Sequence, residues 1–235
     1  MSIPPDRPPR MPYIKMCGFT NPQEARLAAQ LGADLIGLNF FSGSLRAVSF
    51  GMANRIQEVV RKTGQERGSK RPVRTVAVMV DPEPEMVLEI LREVNPDILQ
   101  FHGDEPPHVC RYFRRPFIKA FRPRGAGDIA KIATYAGGYC VGYMLDGAGD
   151  EDYGGTGKQV TSQLANEIFR AQPRGFLAGG LTPANVGPLV AQMQPYGVDV
   201  ATGIETRPGS KSPELMASFV RAVREAVGGP KMNAP

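Results

Sequence analysis

A chain of 235 residues with 42% hydrophobic and 22% charged content is long enough to fill one core, so it is neither a peptide scaffold nor a disordered tail. No apolar run approaches the roughly 20 residues that a bilayer span requires, which excludes a membrane-spanning helix from the expectations. With 28 basic and 23 acidic residues the net charge is +5, which suits nucleic acid or an anionic ligand equally well. Cys17, Cys110 and Cys140 are too few and too dispersed for a disulfide framework. The opening Ser2-Ile3-Pro4-Pro5-Asp6-Arg7-Pro8-Pro9-Arg10 has no secretory pattern, so a reducing cytoplasm is expected.

In chain order, residues 1–12 read as a flexible Pro-rich arm, residues 13–228 as the folded domain and residues 229–235 as a flexible tail. Short apolar runs predict strands at Tyr13 to Met16, Leu35 to Asn39, Thr75 to Val80, Ile98 to Phe101, Phe117 to Ala120, Tyr143 to Leu145, Phe176 to Ala178 and Val198 to Val200. Between them, helical patterns cover Pro22 to Leu31, Gly51 to Lys62, Pro84 to Val94, Pro107 to Phe113, Asp128 to Ala136, Thr161 to Arg170, Asn185 to Met193 and Pro213 to Val227. About eight strand–helix units with almost no hairpin signal predict an α/β chain folded as a single (β/α)8 TIM barrel. An open doubly wound sheet is the rival, but the first strand runs into Cys17-Gly18-Phe19-Thr20 rather than a glycine fingerprint. The basic stretch from Arg61 to Arg74 reads as a solvated loop before the third strand; it has no interleaved aromatic to stack on bases, so no nucleic-acid partner is expected.

In such a barrel the chemistry sits where strands end. Cys17 shares strand parity with Lys15, so both should face the barrel mouth, where the ammonium would lower the thiol pKa; a small packed cysteine is the plain alternative. Cys110 and Cys140, the latter placed before a strand, are assigned to packing. Asp146 ends the sixth strand, opposite Cys17 around the ring, an arrangement that suits an acid and a base acting on one ligand. His102 either lines the pocket or braces its loop, and two histidines are too few for a histidine-built metal site. Gly125-Ala126-Gly127 matches a dinucleotide fingerprint only formally, and Gly154-Gly155-Thr156-Gly157-Lys158 lacks the hydroxyl and spacing of a P-loop. Gly179 and Gly180 after the seventh strand, with Gly203 and Ile204 after the eighth, offer backbone N–H groups to a phosphate; the alternative is that the glycines only tighten two turns.

Taken together, Lys15-Met16-Cys17-Gly18-Phe19-Thr20, Gln100-Phe101-His102-Gly103-Asp104-Glu105, Leu145-Asp146, Gly154-Gly155-Thr156-Gly157-Lys158, Ala178-Gly179-Gly180-Leu181 and Gly197-Val198-Asp199-Val200 resemble the phosphoribosylanthranilate isomerase family, and Pro208-Gly209-Ser210-Lys211 extends the match. The resemblance implies a cofactor-free barrel isomerase of tryptophan biosynthesis, a monomer or homodimer acting on a small phosphorylated substrate. It further implies Cys17 as general base, Asp146 as general acid and Arg46 as partner of the anthranilate carboxylate. The reaction implied is an Amadori rearrangement of N-(5-phosphoribosyl)anthranilate, with Asp146 carrying a raised pKa and Cys17 a lowered one. Ser44-Leu45-Arg46 stands where the family has Ser-Pro-Arg, Gln159-Val160-Thr161-Ser162 where it has an aromatic and an acid, and Ala201-Thr202-Gly203 where it has Ser-Ser-Gly. These departures leave room for a related phosphosugar isomerase, or for a phosphate-ligand binding barrel without turnover.

Overall fold

Prolines mark where four of the helices begin, because a first-turn residue needs no N–H partner and the ring presets φ. At Pro22 the Asn21 side chain accepts from Gln23 N at 2.8 Å, and at Pro213 the Ser212 hydroxyl accepts from Leu215 N at 3.2 Å, so both starts are capped. The computed structural model describes residues 11–66, 72–125, 127–147 and 162–228. Its strands are β1 (Tyr13–Cys17), β2 (Leu35–Asn39), β3 (Arg74–Met79), β4 (Ile98–Phe101), β5 (Phe117–Phe121), β6 (Cys140–Leu145), β7 (Gly175–Leu177), β8 (Gly197–Val200), β9 (Glu205–Arg207) and β10 (Ser210–Lys211). The helices are α1 (Pro22–Leu31), α2 (Phe50–Glu66), α3 (Pro84–Glu93), α4 (Pro107–Tyr112), α5 (Asp128–Ala133), α6 (Ser162–Ala171), α7 (Val186–Met193) and α8 (Pro213–Ala226).

Strands β1 to β8 pair in sequence order, all parallel, and β8 returns to β1 to close the barrel. The doubly wound alternative is thereby excluded. Alternation divides each strand's side chains between two cores. Ile14, Met16, Ile36, Leu38, Leu99, Phe101, Leu145 and Val198 meet the helices, whereas Val76, Val78, Ile98, Ile118, Met144 and Phe176 fill the interior. Lys15 pairs in register with Leu35 on one side and Asp199 on the other, so β1 turns Lys15 and Cys17 inward. Cys17 stands opposite Gly37. A Cβ at Gly37 would lie 2.6 Å from the Cys17 sulfur, so only glycine leaves the thiol its space.

Three sequence expectations change. The basic stretch from Arg61 starts inside a helix: α2 runs on to Glu66 because buried Ala53, Ile56, Val60 and Thr63 keep one face on the core, while residues 67–71 lie outside the described residues. Cys140 is the first residue of β6, paired with Phe117, rather than preceding the strand. An unforeseen antiparallel hairpin of β9 and β10 turns at Pro208-Gly209 beside the barrel mouth, its strands too short to show a period of two. Residues 1–10 of the arm expected at 1–12, the tail at 229–235 and the Gly154–Lys158 block with Gln159 to Thr161 lie outside the described residues. Among the described residues no helix is long and apolar enough to cross a membrane.

Candidate active site

Parallel strands deliver all their carboxyl ends to one rim, and the sequence places its polar groups there. On the β1–β8 side the Lys15 ammonium is fully buried and donates to Asp199 Oδ1 at 2.9 Å. Burial opposes this ammonium, yet Asp199 and the neighbouring Cys17 sulfur outweigh it and hold the Lys15 pKa up. Burial likewise pushes the Cys17 thiol up; Lys15 and Lys211 pull it down and Asp199 pushes it further up, leaving it above its ordinary value. The expected lowering by Lys15 is therefore corrected: the pull exists, but desolvation of the thiolate is larger and Asp199 neutralises the lysine.

Across the mouth, Asp146 follows β6 and its amide donates to Phe121 O at 2.9 Å. Its Oδ2 lies 3.1 Å from His102 Nε2 and 3.6 Å from Arg122 Nε. Gln100, inside the barrel on β4, places its amide nitrogen 2.9 Å from His102 Nδ1. In that arrangement Nδ1 accepts and Nε2 carries the proton toward Asp146. The hydrogen bond from His102 draws the Asp146 carboxyl below its ordinary range, against the burial that would raise it, and the charges of His102 and Arg122 add to the pull. The expected raised pKa is thus reversed, because the donor at the tip of Asp146 outweighs its burial. His102 meets Asp146 at the rim.

The third group surrounds Arg46. Its Nε and Nη2 donate to Glu205 Oε1 at 2.8 Å and Oε2 at 2.5 Å. Lys211, wholly buried, donates to the same Glu205 at 2.7 Å, to Cys17 O at 2.6 Å and to Ala201 O at 3.0 Å. Burial works to raise the Glu205 pKa, but its bonds to Arg46 and Lys211 prevail and keep it below its ordinary value. Beside this group Thr202–Ile204 form a 3₁₀ turn. Gly203 has no room for a side chain, since a Cβ would fall 1.9 Å from Leu181 O, so the two glycine-bearing turns are packed on each other. Gly179 and Gly180 take φ of 89° and 65°. Among the described residues no backbone or side-chain oxygen accepts from their amides. Nor, among those residues, do three or more His, Cys, Asp or Glu side chains converge as metal ligands would.

The family model for N-(5'-phosphoribosyl)anthranilate (PRA) isomerase matches residues 14–222, which spans every strand and helix just described except Tyr13 at the start of β1 and the end of α8. The chain belongs to the PRA isomerase family. Among curated relatives, the N-(5'-phosphoribosyl)anthranilate isomerase of Trichlorobacter lovleyi is 36% identical over 214 residues, covering 91% of this chain and 98% of its own. That of Neisseria meningitidis serogroup B is 39% identical over 206 residues, covering 88% and 93%. The crystal structure of phosphoribosyl anthranilate isomerase from Thermotoga maritima superposes with a TM-score of 0.76 at 29% identity, over 92% of this chain and all of that one. A crystal structure of a phosphoribosyl anthranilate isomerase in complex with reduced 1-(o-carboxyphenylamino)-1-deoxyribulose 5-phosphate superposes with a TM-score of 0.73 at 28% identity, over 92% of this chain and all of that one.

Within this PRA isomerase barrel, sequence position alone located Lys15, Cys17, His102, Asp146 and the glycine turns on one rim. It missed Glu205, Asp199 and Gln100 as members of the site. Asp199 shared inward parity with the β8 register, a signal that was available. Lys211 stood in the Pro208-Gly209-Ser210-Lys211 block, but nothing in the block revealed that its ammonium reaches the backbone of Cys17.

Proposed function

We propose that this chain converts N-(5'-phosphoribosyl)anthranilate to 1-(2-carboxyphenylamino)-1-deoxyribulose 5-phosphate, a step of tryptophan biosynthesis that we place in the cytoplasm. One observation carries the reading: a thiol on β1 and a His102-bonded carboxylate after β6 face the same rim as the two glycine turns after β7 and β8. Cys17 is assigned as base and Asp146 as acid. Arg46 meets the ring carboxylate, and the amides around Gly179, Gly180, Gly203 and Ile204 receive the phosphate.

The steps balance as follows. A proton held between His102 and Asp146 passes from Asp146 to the ribose ring oxygen. The C1–O bond breaks, and the anilino nitrogen lone pair forms the C1–N iminium. Cys17 thiolate then removes the C2 proton, and the C2–H electron pair neutralises the iminium to give an enolamine, which tautomerises to the ketose. The acid ends one proton poorer and the thiol one richer. Because the free protein holds Asp146 low and Cys17 high, the productive form is a minority of the population at neutral pH. Lys15 and Lys211 supply the positive field that makes the thiolate accessible at all.

Purified protein should convert the anthranilate substrate to the ketose without added metal or cofactor. Binding of the reduced product analogue with no turnover would replace the isomerase with a phosphate-ligand binding barrel; turnover only with a different N-substituted ribosyl phosphate would redirect the substrate.

A further inference from the structure

A guanidinium has five N–H donors disposed along more than one edge. Glu205 occupies the edge formed by Nε and Nη2 of Arg46, leaving the Nη1 and remaining Nη2 hydrogens for another acceptor. The Arg46 stem is held as tightly as its head: a Cβ at Gly18 would lie 2.5 Å from Arg46 Cδ, so the arginine lies flat against the backbone next to Cys17. Glu205 in turn is fixed by Lys211 at 2.7 Å and by the Gly209 amide at 3.3 Å. Lys211 completes its coordination with Cys17 O and Ala201 O, and its ammonium sits 5.5 Å from the centre of the Phe19 ring. Arg46 is 20% exposed at the side chain, whereas Glu205 is 5% and Lys211 0% exposed. The open member of the trio is therefore the arginine, and the closed members are its supports.

We propose that Glu205 is a positioning residue for substrate selection: it clamps one edge of Arg46 so that the other edge is presented to the substrate's ring carboxylate. The inference rests on the assignment of Arg46 to that carboxylate. Two cations and one anion leave the trio with a net charge of +1, which a second carboxylate neutralises. Both carboxylates then share one guanidinium plane, the protein's on the inner edge and the substrate's on the outer. Removing the Glu205 charge separates positioning from simple attraction. A Glu205→Gln protein carries one more positive charge beside the mouth, so attraction alone predicts tighter binding of the carboxylate. Positioning predicts weaker binding, because an amide can accept from only one arm of the fork and Arg46 regains its side-chain freedom.

The test is titration of two stable ligands into the full-length protein and its variants: the reduced 1-(o-carboxyphenylamino)-1-deoxyribulose 5-phosphate and the same compound lacking the ring carboxylate. Glu205→Gln is expected to weaken the carboxylated ligand about tenfold and leave the other unchanged. Equal weakening of both ligands, or tighter binding of the carboxylated one, overturns the proposal. Arg46→Ala serves as the separate arm. If it does not discriminate between the ligands, the carboxylate assignment of Arg46 itself falls. If it discriminates while Glu205→Gln does not, Arg46 stands and only the clamp is refuted. Should Glu205→Gln fail to fold, Glu205→Asp keeps the charge but shortens the stem so that the carboxylate no longer spans both arms of Arg46: a selective loss of about tenfold supports the clamp, and wild-type affinity refutes it.

Discussion

On the β1–β8 side of the mouth, Lys15 and Lys211 are fully buried and each is held by a carboxylate, whereas on the β4–β6 side His102 and Asp146 are both partly open to solvent. The Cys17 side balances opposing effects, with desolvation and one carboxylate against two ammonium groups. The Asp146 side is governed chiefly by a single hydrogen bond at the carboxylate tip. Burial itself is thus the largest influence on the Cys17 side, and the nearest donor is the largest on the Asp146 side.

The largest effects should come from removing the two groups proposed to react. Cys17→Ala should lower kcat by roughly 10²-fold or more with little change in ligand affinity, and Asp146→Asn should do the same by withholding the transferable proton. Steady-state kinetics checks both, and near-normal turnover in either variant would dissolve the division of labour between the two sides. A second break lies outside the ring, where buried Lys119 on β5 donates to Gly103 O at 2.7 Å and lies 3.4 Å from Glu105, whose carboxylate accepts from Asp81 N and Gly103 N. This clamp fixes the loop that carries His102. Lys119→Met should cost about 3 kcal/mol of stability by stranding Glu105, measurable by denaturant unfolding. Wild-type stability would mean that the open side needs no support from beneath.

The smallest effect sharpens the comparison through pH. Cys17 is faced by Lys15 from its own strand, Asp199 from β8, Lys211 from β10 and Arg46 from the loop after β2. The proposed mechanism needs protonated Asp146 together with the Cys17 thiolate, so with the acid held low and the thiol held high kcat/KM should be flat through neutral pH and fall in a limb above the thiol's raised pKa, where the acid keeps losing its proton with no further gain of thiolate. Asp199→Asn removes a negative neighbour and releases Lys15, so the limb should move to lower pH by roughly one unit. A limb that stays in place, or moves up, would show that Asp199 does not reach the thiol.

The barrel was legible because each βα unit carries its own local signal. The limits of β2, β4 and α1 coincide with the apolar runs and the Asn21-Pro22 start that predicted them. The rim residues were legible for the same reason, since the end of a strand is a local property. The charge state of the site was not. It depends on Asp199 meeting Lys15 through barrel closure, on Glu205 and Lys211 meeting across a hairpin, and on His102 reaching Asp146 between strands that are not adjacent. Residue spacing along the chain holds none of those distances.

Closure also dictates when the site comes into being. Lys15 meets Asp199 across 184 positions, Thr20 donates to Gly209 O across 189, and Lys211 reaches Cys17 O across 194. Contacts so remote in sequence reward the chain only after the loop between them has been ordered, and they are late by nature. A chain emerging from synthesis completes β1 first and the β9–β10 hairpin nearly last. Until then the lysine of β1 has no counterion, and the two edges that will close the ring stand open. The thiol therefore acquires its surroundings in the same event that seals the barrel, which makes its reactivity a reporter of finished folding.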